Sequence, residues 1–146
     1  MPQQLILVLQ FGASAFMAGV IWLVQLAHYP LFDSVVDERA RQRFLANQWR
    51  TAAVVLPPML LEGVAAAALV FAPPPGVGWA TTIVGLGLVA ILWLSTALVQ
   101  MPLHARLGKA GHDATTIARL VNTNWLRTVG WTARAALAGW MLLAAT

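Results

Sequence analysis

The residues best equipped for chemistry lie between Asn122 and Arg134, in the run NTNWLRTVGWTAR. Asn124, Arg127, Trp131 and Arg134 are spaced three, four and three apart, which puts them on one face of a helix. The surrounding sequence is apolar enough to read as a membrane-spanning segment. Ionisable groups at that depth cost a few kcal/mol each even on lenient insertion scales, so they must face a protein interior, a wet cavity or an opposite charge. A guanidinium beside amides can hold an anionic or carbonyl-bearing ligand, because it offers a planar fork of donors. The plainer reading of Arg127 is an arginine reaching lipid phosphates.

Three further groups belong with this face. Glu62 is the only acid inside an apolar stretch, and pairing with Arg134 is its default role. Measured from Trp49 and Trp125, Glu62 lies 13 residues in and Arg134 nine. That gap is about 6 Å at helical rise, within reach of two long side chains. The functional alternative makes Glu62 a proton acceptor or metal ligand. His28 and His104 admit three readings: interfacial histidines bonded to carbonyls freed near Pro30 and Pro102, paired ligands for a transition metal or haem iron, or general acid–base groups. Gln25 and Gln100 accompany the two histidines. Trp125 and Trp131 can line the pocket of a flat apolar ligand, and Trp49 and Trp125 also suit interfacial anchoring.

The elements that must position these groups follow from composition. The chain has 146 residues, 60% hydrophobic and 10% charged. A soluble domain carries about 25% charged residues, so this is one integral membrane domain. With no cysteine, disulfides, thiolate metal sites and cysteine nucleophiles are excluded. Net charge +4 reflects basic loops, as membrane topology requires, and not nucleic acid. Residues 1–27 carry no charge, so the first segment reads as a retained span and not a cleaved signal.

Apolar runs predict four spans, at about 5–32, 48–72, 79–103 and 117–144, each long enough for roughly 30 Å of hydrocarbon. Gly12, Ser14, Ala15, Ala18 and Gly19 give the first a small-residue surface for close packing. Pro57–Pro58 is expected to interrupt the second. Tyr29 is expected at headgroup depth, Asp33–Arg50 as a charged stretch in a solvated or interfacial helix, and Asp113 as the N-cap of the last helix. His112 reads as a plain loop residue. Charged residues outside the spans fall between spans one and two or three and four. The positive-inside rule makes both loops cytoplasmic and both termini outward, in a plasma (bacterial inner) membrane.

The halves also resemble each other. LVQLAHYPLF (23–32) parallels LVQMPLHARL (98–107), and FLANQWR (44–50) parallels LVNTNWLR (120–127). The expected fold is all-α, a four-helix membrane bundle of two tandem hairpins related by a pseudo-twofold repeat.

Gly19 to Pro30, Val99-Gln-Met-Pro-Leu-His104 and Asn124-Trp125-Leu-Arg127-Thr128 resemble pieces of the small four-span membrane proteins of the anthrone oxygenase-like family. That family shows an early small-residue span ending near a proline, a Val-x-x-Pro-Leu-Asn end to span three and a Trp/Asn/Arg-Thr cluster opening span four. His104 stands where the family usually has asparagine, and the Trp131–Arg134 pattern differs. The resemblance implies oxygenase activity on polycyclic phenols without an obvious cofactor. The chain is also similar to uncharacterised bacterial membrane proteins sharing the HYPLF and NWxRT pieces.

Together these point to an oxidoreductase-like enzyme acting on a small apolar, aromatic or quinone-like molecule near the cytoplasmic leaflet. His28, His104, Arg127 and Glu62 are the expected catalytic groups. Gln25, Gln100, Asn124, Trp125, Trp131 and Arg134 would hold ligand or cofactor, and a transition metal or haem would bind His28 and His104. The alternatives are a protein that binds or transports a lipid or small anion, with transport favouring a homodimer, and a structural protein whose polar face only specifies packing.

Overall fold

A computed structural model describes residues 2–31, 38–110 and 113–145. Every regular element among them is helical. Helix α1 (Pro2–Leu23) runs into a π-helical turn, π1 (Val24–His28). Helix α2 is Glu38–Phe71 and α3 is Trp79–Ser95. The latter continues through a second π-turn, π2 (Thr96–Gln100), into α4 (Met101–Ala110). Helix α5 is Ala114–Ala144. Its N-cap is Asp113, whose Oδ1 accepts the Thr115 amide at 3.1 Å, satisfying one of the free amides of the first turn.

Among the described residues three stretches are long and apolar enough to cross a membrane: Gln3–His28, Trp49–Phe71 and Trp79–Lys109. Helix α5 is as long as the others, but its arginines and asparagines keep its hydropathy below theirs. Helix α1 packs against α2 and α5, and α3 packs against the same two. One end gathers the start of α1, the α2–α3 turn and the end of α5. There Gln3 donates to the Ala72 carbonyl, and Leu7, Leu69, Val77 and Met141 form a buried cluster. The other end gathers Tyr29, Leu103, Leu107, Ile117 and Leu120. Neighbouring helices therefore run antiparallel.

Two glycines permit close contacts. Gly76, with φ +78°, turns the chain so tightly against α5 that a Cβ would lie 2.1 Å from the Ala144 carbonyl oxygen. A Cβ on Gly130 would lie 2.6 Å from Leu92 Cδ2, so α3 and α5 meet there almost backbone to side chain.

Three details differ from the sequence reading. Helix α2 passes unbroken through Pro57 and Pro58. Pro57 is on the exposed side while Met59 and Glu62 are buried, so the lost backbone bonds fall away from the packed face. The helix begins at Glu38, merging the charged stretch with the span; Asp33 and Asp37 lie outside the described residues, as does His112. Tyr29 is turned into the packed interior, 2% exposed.

The π-turns explain that last difference. In each, the residue before a proline donates five residues back: Tyr29 to Val24 and Met101 to Thr96. Pro30 and Pro102 have no N–H, and their rings crowd the carbonyl four residues earlier. Widening one turn by a residue relieves the crowding. A wider turn also brings a later residue inward, so Tyr29 follows Gln25 to the interior and Gln100 follows Ser95.

Candidate functional site

The polar residues meet in two buried layers. Helix α5 supplies a residue to each at every turn: Asn124, Arg127, Thr128, Trp131 and Arg134 are all buried.

The deep layer is built on Glu62 and Arg134, both fully buried. Arg134 Nε stands 3.5 Å from Glu62 Oε1, an ion pair without hydrogen-bond alignment. Ser14 Oγ donates to Oε1 at 2.7 Å and Trp131 Nε1 to Oε2 at 3.1 Å. With its amide oxygen toward the guanidinium, the orientation that satisfies both groups, Gln10 accepts from Arg134 Nη2 at 2.6 Å and Nη1 at 2.9 Å. A Cβ on Gly85 would be 3.5 Å from Nη1, so α3 passes in van der Waals contact. Burying two charges costs several kcal/mol per ion, offset only when pairing and further hydrogen bonds fill their remaining capacity. Gln10, Ser14 and Trp131 supply those bonds.

The second layer lies toward the π-turns. Asn124 Nδ2 donates to Gln25 Oε1 at 2.7 Å and accepts from Arg127 Nη1 at 3.1 Å. Gln25 Nε2 reaches the Val121 carbonyl. Gln100 Nε2 donates to Thr123 Oγ1 at 3.0 Å, and its Oε1 accepts from the Tyr29 hydroxyl at 3.5 Å. That hydroxyl also lies 3.5 Å from His104 Nε2, with the Arg127 guanidinium beside it. Arg127 Cζ sits 5.2 Å from the centre of the Trp131 ring, a cation–π contact strengthened by burial.

Three buried polar atoms around this layer have no hydrogen-bond partner among the described residues: Arg127 Nε, His104 Nδ1 and Ser95 Oγ. Leu92 meets Gly130, so in the antiparallel α3–α5 pair Ser95, a turn later, stands at the level of Arg127. Buried donors are ordinarily paired with protein, water or ligand.

Comparison with protein-family models, curated proteins and solved structures finds no match.

The site is therefore read from its own geometry. Gln25, Gln100, Asn124, Arg127 and Trp131 converge with His104, while Glu62 and Arg134 meet beneath them. His28 is half-buried and its ring is 6.2 Å from that of Tyr29, which is 6.2 Å from His104. The tyrosine thus stands beside both imidazoles. Among the described residues no group of three or more His, Cys, Asp or Glu could hold a metal, and His104 Nε2 is turned to a phenol. This arrangement gives no support to a metal centre built on His28 and His104. Trp125 lies outside the cluster: it is 41% exposed and meets Trp22 edge-on at 5.8 Å, one residue and some 100° round the helix from Asn124. Trp49, 65% exposed, also faces outward.

Sequence reasoning passed over Tyr29, Gln10 and Thr123 as site residues. Gln10 and Ser14 are four apart, a spacing that marks a polar edge on α1. No local signal distinguished Tyr29 from His28 as the inward residue.

Proposed function

We propose that this protein is a membrane-embedded oxidoreductase-like enzyme whose site, at the Arg127 layer, takes a small, flat, apolar molecule bearing a carbonyl or phenolic oxygen. The observation that carries this reading is the pair of buried, unpartnered nitrogens, Arg127 Nε and His104 Nδ1, on either side of the Tyr29 hydroxyl. Arg127 holds an oxygen on which negative charge develops. Tyr29 and His104, hydrogen-bonded to one another, exchange a proton with it. Trp131 and the surrounding apolar side chains hold the body of the molecule. The part of these residues is to bind the oxygen and move its proton; they carry no electrons. Polycyclic phenols, the substrate class implied by the anthrone oxygenase-like resemblance, have the required shape and oxygen. Glu62 takes a structural part here, because both its oxygens are already occupied.

In this reading all four long helices cross the membrane. Helix α5 is tolerated because its polar face turns inward, and the charged loops face the cytoplasm. The two π-turns, each ending two residues before a proline, support descent from a duplicated hairpin. Their register is 72 residues, against 76 for the histidines and 75 for the glutamines.

Lipid-nanodisc protein titrated with duroquinone tests the proposal, with binding followed by calorimetry. Saturable binding weakened at least about tenfold by Arg127→Ala is expected, as for a lost charged hydrogen bond. Equal affinity in the variant would overturn the assignment. The same arginine would suit a small anion. Movement of anion into sealed liposomes, with no chemical turnover, would favour a transporter.

A further inference from the structure

The two polar layers are joined through one side chain. Trp131 is fully buried and wedged among Met17, Ile21, Met59 and Leu92. Its indole N–H points down to Glu62 Oε2, and its ring face lies against the Arg127 guanidinium. Arg127 in turn holds Asn124, which holds Gln25. Only an aromatic side chain with an in-plane donor can make both contacts at once. Tyrosine would place its hydroxyl farther out along the ring axis.

We infer that Trp131 is a positioning residue: it transmits the placement of Glu62 in the deep ion pair to the guanidinium of Arg127, about two helical turns from Arg134 along α5. The packing around the ring leaves it no free rotation, so the N–H anchor and the height of the arginine change together. Asn124 bonds the same guanidinium at Nη1, 3.1 Å away. The deep pair, although it touches no ligand, thus determines how well the upper layer receives one. The ligand part of this inference rests on the function proposed above; the positional part does not.

The test separates the two. In isotope-labelled protein in nanodiscs, the Arg127 side-chain N–H resonance, assigned by its loss in Arg127→Lys, senses the indole ring current. Trp131→Phe keeps a ring face and removes the N–H. Glu62→Gln keeps the shape beneath it and serves alone should Trp131→Phe not fold. Both are expected to shift the resonance, whereas Trp125→Phe, on the exposed face, leaves it in place. An unmoved resonance in Glu62→Gln would overturn the inference. With duroquinone, Trp131→Phe is expected to weaken binding up to about tenfold, in keeping with a displaced cation–π partner. In an Arg127→Ala background it should have no further effect. A full additional loss there would show that Trp131 acts independently of Arg127 and would overturn the positioning role. Shifted resonances with no quinone binding in any protein would leave the positioning intact and remove the ligand reading.

Discussion

Glu62 and Arg134 show how a costly pair of residues can organise an interior. Removing one partner strands the other charge in a dry core, so Glu62→Leu and Arg134→Leu should each cost about 3–5 kcal/mol. Replacing both removes the burial penalty as well as the attraction. The double variant should therefore unfold much closer to the parent than the sum of the singles, in reversible detergent unfolding of all four proteins. Additive losses would mean that the two side chains do not meet. Tyr29→Phe, which deletes the hydroxyl shared by Gln100, His104 and the Arg127 guanidinium, should cost about 1.5–3 kcal/mol in unfolding, the range of a hydrogen bond to a charged group. If the protein acts as proposed, the effect falls on turnover of the phenolic or quinone substrate, read by kcat. The α5 face was legible in the sequence, since three-and-four spacing of Asn124, Arg127, Trp131 and Arg134 leaves one geometric outcome. So was the pairing across depth. The inward turn of Tyr29 was not, because in an ordinary helix His28 and Tyr29 are equally good successors to Gln25.

Prolines decide what the helices can present. At Pro30 and Pro102 the chain widens by a residue before the ring, and the inward register slips with it; at Pro57 the ring lies outward, Pro58 is half-buried, and the helix simply continues. Residue identity alone does not separate the two outcomes, since each depends on which side of the helix is packed. The α2–α3 turn is the counterpart at the opposite end. Gly76→Ala must accommodate both a positive φ and a Cβ on the Ala144 carbonyl. A loss of about 1–3 kcal/mol is expected, the range for a strained backbone position. Hydrogen exchange should rise at the end of α5 and stay unchanged at Asn124. Unaltered exchange at residues 140–144 would show that the turn does not hold that end.

Considered whole, the molecule turns apolar side chains outward on every long helix and gathers its hydrophilic groups inside. Leu5, Leu23, Val64, Leu98 and Val129 are all more than half exposed, while Gln10, Ser14, Glu62, Asn124 and Arg134 are at most 1% exposed. That inversion of the soluble pattern is what a lipid surround requires. With no native cysteine, orientation can be read by single substitutions. Pro75→Cys should react with an impermeant maleimide in intact cells, and Arg106→Cys only after permeabilisation; the reverse pattern would invert the topology. The central claim is that the helices' polar faces share one interior. It is tested most directly by magnetic recoupling between labelled arginine guanidinium nitrogens and labelled glutamate carboxyl carbons in lipid-embedded protein. Glu38→Gln leaves Glu62 as the only glutamate. Strong dephasing matching the 3.5 Å contact, lost in Arg134→Lys, is the predicted result. A Glu62 carboxyl signal that no arginine nitrogen dephases would contradict the account.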